Sequence, residues 1–175
     1  KDPVTLSGHY WYNAPALAAG TRCPAILEVN PYRCRDGTMY VDSRMHPWFA
    51  QNGYLSFRVD LQGSGNSGGS LTDEYTGEEL SYCVQLVEQI SRLPVCDGNV
   101  GMIGESWSAV NSLMVAARDD CPQALKAIVV NCGSAKTAPH NFVFLEGIRT
   151  TLQAAATPQQ GLRAMGRIYA GWALS

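Results

Sequence analysis

The chain has 175 residues, 46% of them hydrophobic and 16% charged, with a net charge of −2. That composition excludes a disordered chain and describes one ordinary domain with a real core. With no run of Lys or Arg there is no electrostatic footprint for nucleic acid or an anionic membrane surface, and no apolar stretch approaches the roughly 18 residues that span a bilayer.

Residues Val4 to Tyr12 alternate loosely as a strand, and Pro24 to Asn30 form a short apolar strand running into Pro31-Tyr32. His46 to Gly53 reads as a short helix, with Pro47 at its first position and Gly53 just past its end. Tyr54 to Asp60 supply the next strand. Gly63 to Ser70 is a glycine- and serine-rich loop; without a closing Gly-Lys-Ser/Thr it reads as a mobile loop at a strand end rather than a phosphate cradle. Thr76-Gly77-Glu78-Glu79 matches a capping box, and Leu80, Cys83, Val84, Val87 and Ile90 form one apolar helix face behind it.

Cys96-Asp97-Gly98-Asn99 is a turn cluster. The apolar run Val100 to Gly104 follows and breaks at Ser106 into a helix with Val110, Leu113, Met114 and Ala117 at helical spacing. A serine on a strand-to-helix break, with a small residue two before it, has the layout of a nucleophile elbow. The competing assignment is a serine that caps the helix through its hydroxyl. Leu125 to Cys132 make another near-continuous apolar strand, and beyond Gly133 the texture turns helix-rich. Strands alternating with helices at this spacing predict a mostly parallel sheet with helices on both faces.

The six cysteines, Cys23, Cys34, Cys83, Cys96, Cys121 and Cys132, include no Cys-x-x-Cys pair, so no zinc site is expected. Cys83 and Cys132 fall in apolar elements and are expected to pack as small hydrophobes, while Cys96 and Cys121 fall in loops where an oxidising compartment would let them pair.

Several ordered motifs now stand together: Pro31-Tyr32-Arg33, the stretch from Met45 to Phe49 through Gly53-Tyr54, Arg58 to Ser67, Leu71 to Tyr75, and Cys96 to Gly104 ahead of the elbow. With them the chain resembles the CocE/NonD family, α/β-hydrolases related to cocaine esterase and to the Xaa-Pro dipeptidyl-peptidases of the S15 type, over roughly residues 1 to 133. The resemblance implies an α/β-hydrolase core at 1–133 followed at 134–175 by a helical extension that begins a cap. It also implies that Ser106 attacks the acyl carbonyl of a small ester, amide or peptide substrate to form an acyl-enzyme. The backbone N–H of Trp107 and the hydroxyl of Tyr32 are then the oxyanion donors. Neither metal nor cofactor is expected, and the family pattern indicates no oligomeric state.

Three departures from the family stand out. Ser108-Ala109 replaces a Gly-Gly pair and is expected to widen or strain the elbow, Gln62 stands where arginine is common, and Ser134 to Thr137 lack the usual acidic and tyrosine residues. In this fold the acid and then the base follow the serine. Asp119, Asp120 and His140 satisfy that order, but two aspartates ending the elbow helix and a histidine just past the next strand are too early for the family's pair. The chain therefore reads as the amino-terminal part of a longer hydrolase, cut before the last strands and close to inactive alone. The rival readings are a degenerate hydrolase fold used for binding or assembly, and a nucleotide-binding α/β domain.

Overall fold

The computed structural model describes residues 4–133, and these fall within one compact unit. In chain order they form β1 (Gly8–Trp11), α1 (Ala14–Ala18), β2 (Cys23–Asn30), α2 (Met39–Gln51), β3 (Leu55–Asp60), α3 (Gly77–Ser91), β4 (Cys96–Glu105), α4 (Trp107–Ala116) and β5 (Leu125–Asn131). The sheet order is β1-β3-β2-β4-β5. Only β1 runs antiparallel, pairing with β3; the other three pairings are parallel, as crossover helices require. The extension expected at 134–175, with His140, lies outside the described residues.

β2 is buried along almost its whole length because it lies at the centre, between β3 and β4. Alternation along β3 separates the helices. Ser56 meets His46 on α2, whereas Leu55 and Phe57, on the opposite face, line a cavity with Leu93 and Val95 just after α3. α2 and α3 therefore cover opposite faces of the sheet. The α3 stripe is buried as expected at Leu80, Cys83, Val84, Val87 and Ile90, and the Thr76 hydroxyl caps the Glu79 N–H at 3.1 Å. Burying five such apolar side chains contributes about 1.5–3 kcal/mol for each of the larger ones before chain entropy is counted.

Several local expectations are corrected. α2 starts at Met39 rather than near His46, so Pro47 lies inside it and His46 is fully buried in its middle. A proline interior to a helix loses one backbone bond, and apolar and polar packing of α2 against β3 outweighs that loss. α4 is not one-sided: Trp107 through Ser112 and Val115 are buried, while Ala117 is exposed. Cys96 opens β4 and is buried, Cys132 is exposed, and all six cysteines are free. β5 forms a sheet edge among the described residues, with Val129 62% exposed.

The glycine-rich loop is tied down internally. Gly63 N–H donates to Gly68 O, Ser64 N–H to Leu61 O, Gly68 N–H to Thr5 O, and Ser67 Oγ to Asp60 O. Gly65, at φ 55°, lies where a Cβ would stand 1.9 Å from Asp60 Oδ2. These donors serve the fold and leave the loop no phosphate cradle.

Candidate active site

Ser106 sits between β4 and α4 with φ 57° and ψ −112°, a left-handed conformation that costs a non-glycine residue about 1–3 kcal/mol. Its N–H donates to Asn131 O at 3.1 Å, and its own O accepts from Val110 N–H at 3.1 Å. Its side chain makes no capping bond to α4. The hydroxyl is exposed and accepts instead from Tyr32 Oη at 3.0 Å, which separates the elbow reading from the capping one.

The turn is tight because Gly104 has no side chain: a Cβ there would stand 2.2 Å from the Ser108 carbonyl carbon. Ser108 and Ala109 fit despite replacing the family's glycines. Ser108 is buried, receives the Glu105 N–H at 3.0 Å on its hydroxyl, and reaches Glu28 Oε1 at 3.1 Å. Room for Ala109 comes from Gly133, where a Cβ would meet Ala109 Cβ at 2.9 Å. The expected widening is thus absorbed by one buried carboxylate and one compensating glycine.

Tyr32 lies on the turn after β2. Its N–H donates to Asn30 Oδ1 at 2.9 Å, and Gly37 lets the loop return so closely that a Cβ would stand 2.0 Å from the Tyr32 carbonyl oxygen. Tyr32 Oη also accepts the Trp107 backbone N–H at 3.4 Å. The three residues singled out in the sequence therefore converge on one point. Trp107 is buried, its indole N–H donating to Glu79 Oε1 at 2.6 Å and its ring lying 5.0 Å from that of Tyr75. Burial pushes the Glu79 carboxyl up, and the Trp107 bond offsets only part of that rise.

Beneath the site lies a buried polar network that sequence reasoning missed. Arg58, fully buried, donates to Asn30 Oδ1, to Val59 O at 2.7 Å and to Thr38 Oγ1 at 3.2 Å, and lies 3.4 Å from both Asp42 Oδ2 and Asp60 Oδ1. His46 Nδ1 pairs with Ser56 Oγ at 2.7 Å, its Nε2 lies 3.5 Å from Glu28 Oε2, and its ring stacks on Trp11 at 4.8 Å. Burial would raise the Glu28 carboxyl, but the His46 bond, the Arg58 charge and the Ser108 hydroxyl outweigh it and hold Glu28 below its ordinary range. The available signal was the alternation of polar residues Glu28, Asn30, Ser56, Arg58 and Asp60 along strands otherwise apolar.

Glu28, Asp42 and His46 bring ligand-type atoms within 4.8 Å of one another. The Asp42 oxygen Oδ2 already accepts the Thr38 hydroxyl at 2.6 Å and faces Arg58, so the guanidinium supplies the positive charge this cluster needs.

A largely apolar cavity of about 1000 Å³ runs along one face of the sheet, from Pro24, Asn99 and Lys126 at one end of the strands to Tyr32, Ser106 and Asn131 at the other, with Trp48 and Phe49 of α2 on its wall. Among the described residues no histidine turns toward Ser106: His9 is on β1 in edge contact with Trp11, and His46 is committed to Ser56 and Glu28. Asp119 and Asp120 lie beyond the far end of α4, about 15 Å of helix from Ser106, where Asp120 pairs with Arg118 at 2.6 Å.

Comparison with known proteins bears on the family and the fold. The profile of the family described as X-Pro dipeptidyl-peptidase (S15 family) matches residues 12–154. A Mycobacterium bovis protein named as a candidate serine esterase is 32% identical over 71 residues, which are 41% of this chain and 11% of that protein. Among solved structures, an aminopeptidase from a marine sediment Thaumarchaeota archaeon superposes with TM-score 0.59 at 20% identity, covering 73% of this chain and 23% of the other. A CocE/NonD family hydrolase from Staphylococcus aureus superposes with TM-score 0.50 at 17% identity, covering 62% and 22%. These likenesses establish an α/β-hydrolase fold, and the chain spans only a minor part of each relative's length.

Proposed function

Because this chain belongs to the X-Pro dipeptidyl-peptidase (S15) family, we propose that it carries the nucleophile and oxyanion donors of a serine hydrolase acting on an ester or amide acyl bond. The observation that supports this most is the convergence of Tyr32 Oη on Ser106 Oγ, at 3.0 Å, and on the Trp107 N–H, at 3.4 Å. A small acyl ester, amide or peptide would enter the cavity with its carbonyl carbon against Ser106 Oγ.

As the Oγ–C bond forms, the hydroxyl proton passes to a base and negative charge develops on the carbonyl oxygen. That oxygen would displace the present Tyr32–Ser106 contact and receive the Tyr32 O–H and the Trp107 N–H. Collapse expels the leaving group with a proton, and water then attacks the acyl-enzyme and frees Ser106.

The base and its orienting carboxylate are supplied by sequence outside the described residues. Loss of the histidine from a serine hydrolase costs on the order of 10⁶ in turnover. Ser106 without a base to take its proton is therefore expected to turn over close to nothing. Labelling with a fluorophosphonate probe, read by intact mass beside Ser106→Ala, tests the reading. Stoichiometric adduct on Ser106 would show a base within the chain, His140 first; labelling only after extension of the chain would support the proposal as stated. No adduct on either would favour a hydrolase fold turned to binding or assembly.

A further inference from the structure

We infer that Glu28 is a positioning residue that couples the two halves of the oxyanion site through one buried carboxylate oxygen. The inference rests on the reading of Tyr32 and Trp107 as oxyanion donors given above. Glu28 Oε1 accepts from Asn30 Nδ2 at 2.9 Å and from Ser108 Oγ at 3.1 Å. Each of those residues grips one half of the site. Asn30 Oδ1 receives the Tyr32 N–H at 2.9 Å, and Ser108 Oγ receives the Glu105 N–H at 3.0 Å, one residue before the nucleophile.

The orientation of this chain of bonds is determined by its ends. Asn30 Oδ1 also accepts from the Arg58 guanidinium, so its amide nitrogen must be the group that faces Glu28. The Ser108 hydroxyl has one proton and two acceptors in reach, Glu28 Oε1 and Glu105 O at 3.0 Å. The anionic oxygen forms the stronger bond. Glu28, Asn30 and Ser108 are 6%, 2% and 1% exposed, so this chain of bonds is largely withdrawn from bulk solvent.

The geometry has a functional consequence. Tyr32 comes from the turn after β2 and Trp107 from the turn after β4; the β2–β4 register runs as far as Leu27 and Met102, and the Glu28 bonds join the two strands as a brace beyond that point, where the turns begin. Ser108, the residue that departs from the family's glycine, is what makes the brace possible here, because glycine has no hydroxyl to offer Glu28.

The test uses the full chain, 15N-labelled, with the Tyr32 and Trp107 backbone amides assigned. Ser108→Ala is expected to shift the residue-32 amide, and to do so in a Tyr32→Phe background as well, where the second route, from Tyr32 Oη to the Trp107 N–H, is gone. Glu28→Gln, which keeps an acceptor oxygen, should retain that response, and Glu28→Leu should abolish it. An alkylboronic acid supplies the second readout: Ser106 Oγ bonds to boron, the hydroxyl proton leaves to solvent, and the tetrahedral anion takes the oxyanion position.

Boronate affinity, followed by 11B resonance, should fall about threefold or more in Ser108→Ala and stay within about threefold in Glu28→Gln, the size of a coupled-pair effect. A Tyr32 amide indifferent to Ser108→Ala overturns the brace. If Glu28→Leu does not fold, the Ser108→Ala and Glu28→Gln comparison still decides. If the unaltered chain forms no boronate, the amide response alone decides whether Glu28 couples the two turns.

Discussion

The indole N–H of Trp107 points away from Ser106 and donates to the buried carboxylate of Glu79 at 2.6 Å, so the side chain anchors the residue while its backbone N–H stays at the candidate site. Glu79 belongs to the first turn of α3 and Trp107 opens α4. The bond thus ties the two helices together directly beneath the elbow.

Glu79 and Glu28 are expected to make stability depend on pH with opposite signs. Burial raises Glu79 above the ordinary glutamate value of 4.5, so its contribution is full below that value and is lost as pH rises through the folded-state pKa. The melting temperature of Glu79→Gln relative to the parent should therefore climb from acid to neutral pH. Glu28 is lowered, so its contribution is present above 4.5 and is lost as pH falls through the folded-state pKa. Glu28→Gln should cost stability at neutral pH and progressively less in acid. Parallel slopes for the two variants in a thermal-melt series would contradict at least one of the two assignments.

Tyr32→Phe removes the hydroxyl proposed as an oxyanion donor and keeps the ring. Loss of a single preorganised donor lowers turnover by about 10²–10³-fold. The loss should appear in kcat, with the melting temperature within a degree or two. An unchanged kcat would remove Tyr32 from the oxyanion site.

Gly104→Ala forces a methyl group to within 2.2 Å of the Ser108 carbonyl carbon. Backbone cannot rotate away as a side chain can, so strand and helix must separate at the elbow. Urea unfolding should register a loss of about 1–3 kcal/mol, the usual range for overpacking. Full parental stability would mean that the turn is looser than its geometry indicates.

Thiol reactivity should divide the cysteines by exposure. Cys132 is exposed, whereas burial and then the Asp60 carboxylate, 3.3 Å from its sulfur, push the Cys34 thiol up to about 11. Iodoacetamide on the native chain at pH 8 should modify Cys132 first and leave Cys34 and Cys83 unmodified until denaturant is added. Early modification of Cys34 would show that the β2–α2 turn opens on the timescale of the reaction.

Much of this protein was determined by local sequence. The α3 stripe and its Thr76 cap, the apolar strands, and the elbow at Ser106 follow from periodicity and turn chemistry, which act between residues a few positions apart. Tyr32 and Trp107 are singled out only by an ordered set of motifs, since neither residue type carries the chemistry on its own, and their meeting at Ser106 is a matter of the fold. The extent of α2 was not legible: its first turns, Met39 to Met45, show no clean apolar stripe because most of these residues are exposed and the buried one, Asp42, faces Arg58. Only the tertiary structure decided that Glu28, His46, Arg58 and Asp60 are buried, because their cost is met by partners on other strands and helices. It alone decided, too, that Ser108-Ala109 is tolerated, through Glu28 from β2 and Gly133 after β5. Those partners lie far from the elbow in sequence, and hydrogen bonds and close packing act across space, so no local pattern announces them.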